Sequence, residues 1–222
     1  MTEPPAAPDS AFPLIRHLSW RLTPPVARLP VTPNQITTAS LAVGMVCNWC
    51  VMQGAYGLAV AGGGLLVLCY LLDNIDGEIA RLKGLKSTFG MHYDTFADWL
   101  VHATFFPALG WGEAARSGDD LWLWLGAAAG AGATINYLVV LYLDRRDGVP
   151  ESATAAPRTT TDDSLAGKLL FALRELSRAD FCFIVLALAL VDGLWLLLPF
   201  AAAGAQVYWM TAGVQQTRDA HV

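Results

Sequence analysis

The chain has 222 residues, of which 55% are hydrophobic and only 15% are charged, whereas soluble domains carry about 25% charged residues. Composition therefore indicates that most of the chain lies in lipid, and the formal net charge of -5, without a long basic run, excludes a nucleic-acid-binding module. Cys47, Cys50, Cys69 and Cys182 all lie in apolar stretches, which excludes a disulfide-linked secreted scaffold.

The first thirty residues are predicted to precede the membrane-embedded part of the chain. Residues 1–10 are Pro-rich and lack the basic region of a secretory signal, so we expect a disordered tail. From 11 to 30, apolar residues alternate with polar ones: Arg16, His17, Arg21 and Arg28. This pattern is typical of an amphipathic segment on the membrane surface, in which Pro24 and Pro25 are expected to break any helix.

Hydrophobic segments then follow in series, and six of them are predicted to cross a bilayer core, which requires about 20 residues. The predicted spans are 36–53, 55–72, about 88–112, 121–143, and the two halves of 181–215, which a turn at Asp192-Gly193 divides. The predicted fold class is therefore all-α, a polytopic protein with six transmembrane helices plus short interfacial helices. Residues 11–222 form one domain.

Basic residues predict the orientation of this domain. Of the 14 Lys and Arg residues, all but Arg116 fall on the side of the membrane that also holds both termini. By the positive-inside rule, that side is the cytoplasm, and Arg116 lies in a loop on the opposite side. Residues 147–163 are predicted to be a cytoplasmic linker and residues 165–178 a second interfacial helix. We expect a multi-pass protein of a bacterial inner membrane.

Four aspartates lie where the second and third spans meet the cytoplasm: Asp73, Asp76, Asp94 and Asp98. Their spacings of three and four residues place each pair on one face of its own helix. Because the connection between these spans is short, the two helices are antiparallel neighbours and all four carboxylates can converge.

Converging carboxylates at a membrane boundary are costly, because they are poorly solvated and repel one another. Two Mg²⁺ or Mn²⁺ ions would neutralise them and prepare the site for a pyrophosphate, since hard cations prefer oxygen ligands. The alternative is that these aspartates cap helix ends or pair with Arg81, Lys83 and Lys86.

The run Asp73-x2-Asp76-Gly77-x2-Ala80-Arg81-x8-Gly90-x3-Asp94-x3-Asp98 resembles the signature of the CDP-alcohol phosphotransferase (phosphatidyltransferase) family. The resemblance implies transfer of a phospho-alcohol group from a CDP-alcohol to an acceptor hydroxyl, with release of CMP. It also implies a homodimer whose active site opens to the cytoplasm.

The resemblance further implies roles for individual residues. Asp73, Asp76 and Asp94 would bind metal, and Asp98 would be both a metal ligand and the catalytic proton acceptor. The positions that would hold the CDP part of the donor are Thr32, Pro33, Asn34, Gln35, Gly77, Arg81 and Ser87. Among the basic residues near spans four and five, Arg146 and Arg178 are favoured for binding an anionic acceptor.

Three functions remain open on sequence alone. The first is phosphatidyl transfer from CDP-diacylglycerol to a small alcohol in phospholipid biosynthesis, and the second uses a soluble donor such as CDP-inositol. The third is a non-enzymatic Mg²⁺-binding membrane protein, a carrier or a scaffold.

Two short motifs have structural interpretations. Cys47-x2-Cys50 lies within a span and is interpreted as buried packing rather than a redox pair. Gly126-x3-Gly130 is a small-residue packing face, which marks either a dimer contact or a helix crossing within the chain.

Overall fold

The computed structural model describes residues 13–147 and 180–206, with side chains except at 140 and 143–147, and every regular element in these ranges is helical. The helices are α1 Leu14–Ala27, α2 Pro33–Met52, α3 Tyr56–Leu82, α4 Thr88–Ser117, α5 Leu121–Asp147, α6 Phe181–Leu190 and α7 Leu194–Gln206. The first turn of α7, Leu194–Leu196, is a 3₁₀-helix. The predicted tail 1–10, the linker beyond Asp147 and the second interfacial helix lie outside the described residues.

Helix α1 packs against α3 through a narrow face formed by Ile15, Ser19 and Thr23, all of them buried. Contrary to the sequence-based expectation, Pro24 and Pro25 do not break α1, which continues to Ala27. The prediction was wrong because both prolines fall in the last turn, where they remove only the final backbone donors and the helix ends two residues later.

Helices α2 to α5 form the centre of the fold, with α3 and α4 each packed against α2, and α5 packed against α4. The crossing of α4 and α5 is close because it is made at glycines. A Cβ at Gly110 would lie 2.5 Å from the Trp122 carbonyl oxygen, and one at Gly126 would lie 2.5 Å from the Phe106 carbonyl oxygen. The Gly126-x3-Gly130 motif therefore makes a helix crossing within the chain.

All four cysteines are buried and free, which confirms that Cys47-x2-Cys50 is a packing element. They belong to or border an apolar core that includes Leu66, Val101 and Phe105. Large apolar side chains also cover the outer surface, for example Trp49, Trp124, Leu138 and Phe200. An apolar exterior around an apolar core is the distribution expected of a protein surrounded by lipid.

Helices occupy all six positions at which the sequence predicts a span, and the predicted turn is confirmed by Asp192, whose φ is 55° between α6 and α7. Within the described residues, α2 and α3 are the helices that are long and apolar enough to cross a membrane. Helix α6 has 10 residues, about 15 Å, which is half the thickness of a bilayer core. A six-span topology thus stays a prediction.

Candidate active site

A tight turn joins the end of α3 to the start of α4, and both helices pack on α2. The Leu85 amide donates to the Ala80 carbonyl at 2.9 Å, and Gly84 takes a left-handed conformation with φ of 65°. Ser87 then caps α4 by accepting a hydrogen bond from the Gly90 amide at 3.0 Å. Because α3 continues without a break to Leu82, both aspartate pairs sit on regular helix where these two helices meet.

The structure brings the predicted aspartates together. One carboxylate oxygen from each of Asp73, Asp76 and Asp94 lies within 4.8 Å of the other two. Asp98, one turn further along α4, lies beside Asp73 within hydrogen-bonding reach. Asp76 is only 4% exposed, Asp73 and Asp94 are half-buried, and Asp98 is exposed. The cluster therefore has a buried floor at Asp76 and an open side at Asp98.

Asp73, Asp76 and Asp98 form no ion pair with a basic side chain in the described ranges 13–147 and 180–206. Asp76 accepts a hydrogen bond from the Thr37 hydroxyl at 2.5 Å. The Lys83 ammonium, a candidate partner by sequence, instead donates to the backbone carbonyls of Leu29 and Val31, both at 2.9 Å. Ion pairs of Asp73, Asp76 or Asp98 with Arg81, Lys83 or Lys86 are thus not found in the described part of the chain. Carboxylates this close repel one another, and a divalent cation would relieve that repulsion.

The donor set fits divalent cations. Opposite ligands on one Mg²⁺ lie about 4.2 Å apart, since each bond is about 2.1 Å long. Two ions bridged by shared carboxylates lie about 3.5–4 Å apart. Oxygens of Asp73, Asp76 and Asp94 within 4.8 Å of one another match this scale and need only small rotations to coordinate. Their chemistry, hard anionic oxygen, suits Mg²⁺ or Mn²⁺.

The predicted nucleotide segment 32–35 forms the start of α2. Thr32 and Gln35 make a reciprocal cap, in which the Gln35 amide donates to Thr32 Oγ1 at 3.4 Å and the Thr32 amide donates to Gln35 Oε1 at 2.9 Å. Pro33 occupies the first helical position, where its missing N–H costs nothing. The Asn34 side chain points at Gly90, so the amino ends of α2 and α4 lie together next to the aspartates.

The remaining donor-binding candidates divide into two groups. The Arg81 guanidinium lies over Gly77, 3.5 Å from where a Cβ would be, and it is exposed without an ion pair in the described part of the chain. It is therefore available to an anionic ligand. Ser87, in contrast, is occupied as the cap of α4.

The candidate acceptor residues are not brought to the site by the described structure. Arg146 lies in the last turn of α5, but its side chain is outside the described set. Arg178 lies outside the described residues altogether. Their role stays a prediction.

Sequence reasoning missed the polar contacts that support the site. Thr37 was not singled out, although it holds Asp76. One turn below Asp98, His102 Nδ1 lies 2.7 Å from the Asp98 backbone oxygen and His102 Nε2 lies 2.7 Å from the Tyr70 hydroxyl, which links α3 to α4. The contacts of Thr37 with Asp76 and of His102 with Tyr70 join residues distant in sequence, and no local pattern marks them.

Comparison with known proteins places the chain in a family. Residues 30–195 match the family described as CDP-alcohol phosphatidyltransferase. The match covers more than half of the chain and contains the four aspartates, so the chain belongs to this family. The name of this family is that of a transferase of substituted phosphate groups.

Individual relatives carry two kinds of name. A bifunctional IPC transferase and DIPP synthase from Thermococcus kodakarensis is 30% identical over 123 residues, 54% of this chain and 27% of that protein. A protein of the same name from Aquifex aeolicus is 34% identical over 96 residues, 43% of this chain and 21% of that protein. A CDP-diacylglycerol–serine O-phosphatidyltransferase from Helicobacter pylori is 32% identical over 77 residues, 35% of this chain and 31% of that protein. The chain thus matches less than a third of the length of each relative.

Proposed function

We propose that this protein is a multi-pass membrane enzyme that moves a phosphatidyl group from CDP-diacylglycerol to the hydroxyl of a small alcohol and releases CMP. One observation carries the proposal: carboxylate oxygens of Asp73, Asp76 and Asp94 lie within 4.8 Å of one another, inside the matched family region. This arrangement is suited to cations that accompany a pyrophosphate. The reaction belongs to phospholipid biosynthesis.

The four aspartates, Asp73, Asp76, Asp94 and Asp98, are proposed to hold two Mg²⁺ or Mn²⁺ ions. When bound, such ions neutralise the charge of the transferred phosphoryl group and of the leaving CMP. Asp76, buried and oriented by Thr37, provides a fixed ligand, whereas the half-buried Asp73 and Asp94 face the opening.

Asp98 is proposed to accept the proton of the acceptor alcohol. Its exposure on the open side of the cluster gives an acceptor access. As the alcohol oxygen forms its bond to phosphorus, the bond between phosphorus and the CMP oxygen breaks, and the alcohol proton passes to the Asp98 carboxylate. CMP then leaves with the electron pair of the broken bond, so no covalent intermediate with the protein is required.

Donor binding is proposed to involve the two helix starts and the end of α3. Arg81 would bind the pyrophosphate with its exposed guanidinium, while Gly77, lacking a side chain, would allow the nucleotide to approach α3 closely. The segment 32–35 and Ser87 would border the nucleotide. Arg146 and Arg178 are proposed to contact the acceptor.

The same proposal includes the setting of the enzyme. We propose six transmembrane helices, a homodimer, and a site that faces the cytoplasm of a bacterial inner membrane. The bias of basic residues to one side of the predicted spans supports this orientation. The apolar outer surface supports embedding in lipid.

A second donor class is kept because relatives with two kinds of name match the chain. The name of the Helicobacter pylori relative specifies CDP-diacylglycerol and serine, whereas the archaeal and Aquifex aeolicus relatives are IPC transferases and DIPP synthases. A soluble donor such as CDP-inositol is therefore the alternative to CDP-diacylglycerol.

The test is CMP release by purified protein in lipid nanodiscs. With Mg²⁺ or Mn²⁺, CDP-diacylglycerol and a panel of polar alcohols, one combination should release CMP, and EDTA should stop the release. CMP formation only with CDP-inositol would move the protein to the second donor class. Failure with every donor and acceptor, in protein that binds Mn²⁺, would favour the non-enzymatic metal-binding alternative.

A further inference from the structure

A buried carboxylate outside the metal cluster joins α1 to α3. Glu78 is 8% exposed and lies on the face of α3 that is covered by α1. It accepts hydrogen bonds from the hydroxyls of Ser19 and Thr23, both at 2.6 Å. These donors are one helical turn apart on α1, so the two oxygens of one carboxylate fix the register between the two helices.

Two more polar contacts hold the same part of the chain. The buried Asp180, just before α6, accepts from the backbone amides of Leu14 and Ile15 at 2.7 and 3.0 Å, which caps the start of α1. Beyond the end of α1, Lys83, which directly follows α3, donates to the backbone carbonyls of Leu29 and Val31 before α2. Helix α1 is thus held at its start, in its middle and beyond its end.

Apolar packing alone would keep α1 against α3 at lower cost. Ile75 and Ile79 of α3 already provide such packing next to Glu78. Burying a carboxylate is unfavourable in the absence of a cation, and no ion pair to Glu78 exists in the described ranges. A buried polar link of this kind specifies one arrangement of two elements where apolar contacts would tolerate several.

The contact of Glu78 with α1 lies next to the aspartate cluster. Glu78 follows Gly77 directly and lies two residues after Asp76, so it holds the backbone turn that presents the buried aspartate. Thr37 of α2 holds the Asp76 side chain itself. We propose that Glu78 is a positioning residue, which acts through Ser19 and Thr23 to hold the end of α3 at the distance from α4 that metal binding requires.

This inference rests on the proposed function only in assigning Asp76 as a metal ligand. Its test therefore measures Mn²⁺ binding and the hydrogen–deuterium exchange of α1 rather than turnover. Glu78→Gln keeps the size of the side chain but removes one of the two acceptor oxygens. Hydrogen–deuterium exchange of α1 should become faster, and the dissociation constant for Mn²⁺, measured by electron paramagnetic resonance, should rise about tenfold.

Glu113→Gln is the matched control, because Glu113 is also 8% exposed and lies at the other end of α4. It should lower the melting temperature without changing Mn²⁺ affinity or exchange in α1. Equal effects of both variants on Mn²⁺ affinity would reduce Glu78 to a general structural residue and overturn the proposal. Unchanged Mn²⁺ binding in Glu78→Gln, or no Mn²⁺ binding by the unmodified protein, would overturn it as well.

Thr23→Val tests the route of the effect and is the milder change, since Ser19 still donates to Glu78. It should weaken Mn²⁺ binding less than Glu78→Gln does. In the double variant Glu78→Gln with Thr23→Val, the rise in the Mn²⁺ dissociation constant should be well below the product of the two single rises, because both substitutions weaken the same contact. If the two rises in the Mn²⁺ dissociation constant instead multiply, Glu78 does not act through α1.

Discussion

The two ends of α4 place carboxylates in opposite electrostatic settings. At one end, the buried Glu113 binds the Arg116 guanidinium at 2.8 Å, and Arg116 also binds Asp192 at 2.9 Å. At the other end, Asp94 and Asp98 lie beside carboxylates of α3, and Asp98 forms no ion pair in the described part of the chain. At the first end a guanidinium of the chain pairs with both carboxylates, whereas Asp98 at the candidate site has no such pair among the described residues.

The paired end has an architectural role. Because Asp192 lies in the turn between α6 and α7, Arg116 ties that turn to the end of α4. The hydrogen bond to Glu113 raises the pKa of Arg116 above its usual value. Arg116 was predicted in a loop, but α4 continues through it to Ser117, which places it one turn from Glu113. The same residue types therefore join helices here and form the candidate site at the opposite end.

The largest expected effect comes from Asp98→Asn. The amide keeps the shape of the side chain but cannot accept the alcohol proton, so CMP release should fall by at least ~10²-fold. Steady-state turnover with saturating donor, acceptor and Mn²⁺ measures this loss. Full activity in this variant would remove Asp98 from its proposed role.

Arg116→Met is the control from the paired end. It leaves Glu113 buried without its cation, so the free energy of unfolding should fall by about 1–3 kcal/mol. The turnover of the folded fraction should stay unchanged below the new melting temperature. A loss of turnover comparable to that of Asp98→Asn would contradict the division between the two ends.

A smaller effect is expected from Gly77→Ala. The added Cβ would lie 3.5 Å from Arg81 Nη1, an ordinary contact, so the protein should fold as before. The methyl group would instead obstruct the donor. KM for the CDP-alcohol should rise about tenfold, because an added methyl group in a packed contact costs about 1–3 kcal/mol and tenfold corresponds to about 1.4 kcal/mol. Measurement of KM at fixed acceptor concentration tests this expectation.

Gly110→Ala provides the corresponding change at the helix crossing. Its Cβ would lie 2.5 Å from the Trp122 carbonyl oxygen, so α4 and α5 must separate and the free energy of unfolding should fall by about 1–3 kcal/mol. KM for the donor should not change. If Gly77→Ala instead destabilises the fold and leaves KM unchanged, Gly77 does not border the donor.

Local patterns predicted much of the fold. Helix positions followed from hydrophobic runs, and the turn at Asp192-Gly193 followed from its residue types. Convergence of the aspartates could be predicted because two spacings and one short connection determine it. Each of these inferences needs only residues close together in sequence.

Contacts between distant segments could not be predicted in the same way. Asp180 caps α1 across a separation of 166 residues, and Ser19 and Thr23 meet Glu78 across more than fifty. The continuation of α1 through Pro24 and Pro25 was also missed, because the position of the helix end, two residues after Pro25, could not be predicted. The partner of Gly126 required the crossing angle of two helices, which composition does not determine.

The central claim is that Asp73, Asp76, Asp94 and Asp98 together hold divalent cations. Anomalous diffraction from crystals grown with Mn²⁺ and CDP-diacylglycerol tests it most directly. Two manganese peaks are expected between α3 and α4, each within bonding distance of these carboxylates and of the donor pyrophosphate. Bound donor with no manganese among the four aspartates, or with their side chains turned away from one another, would contradict it.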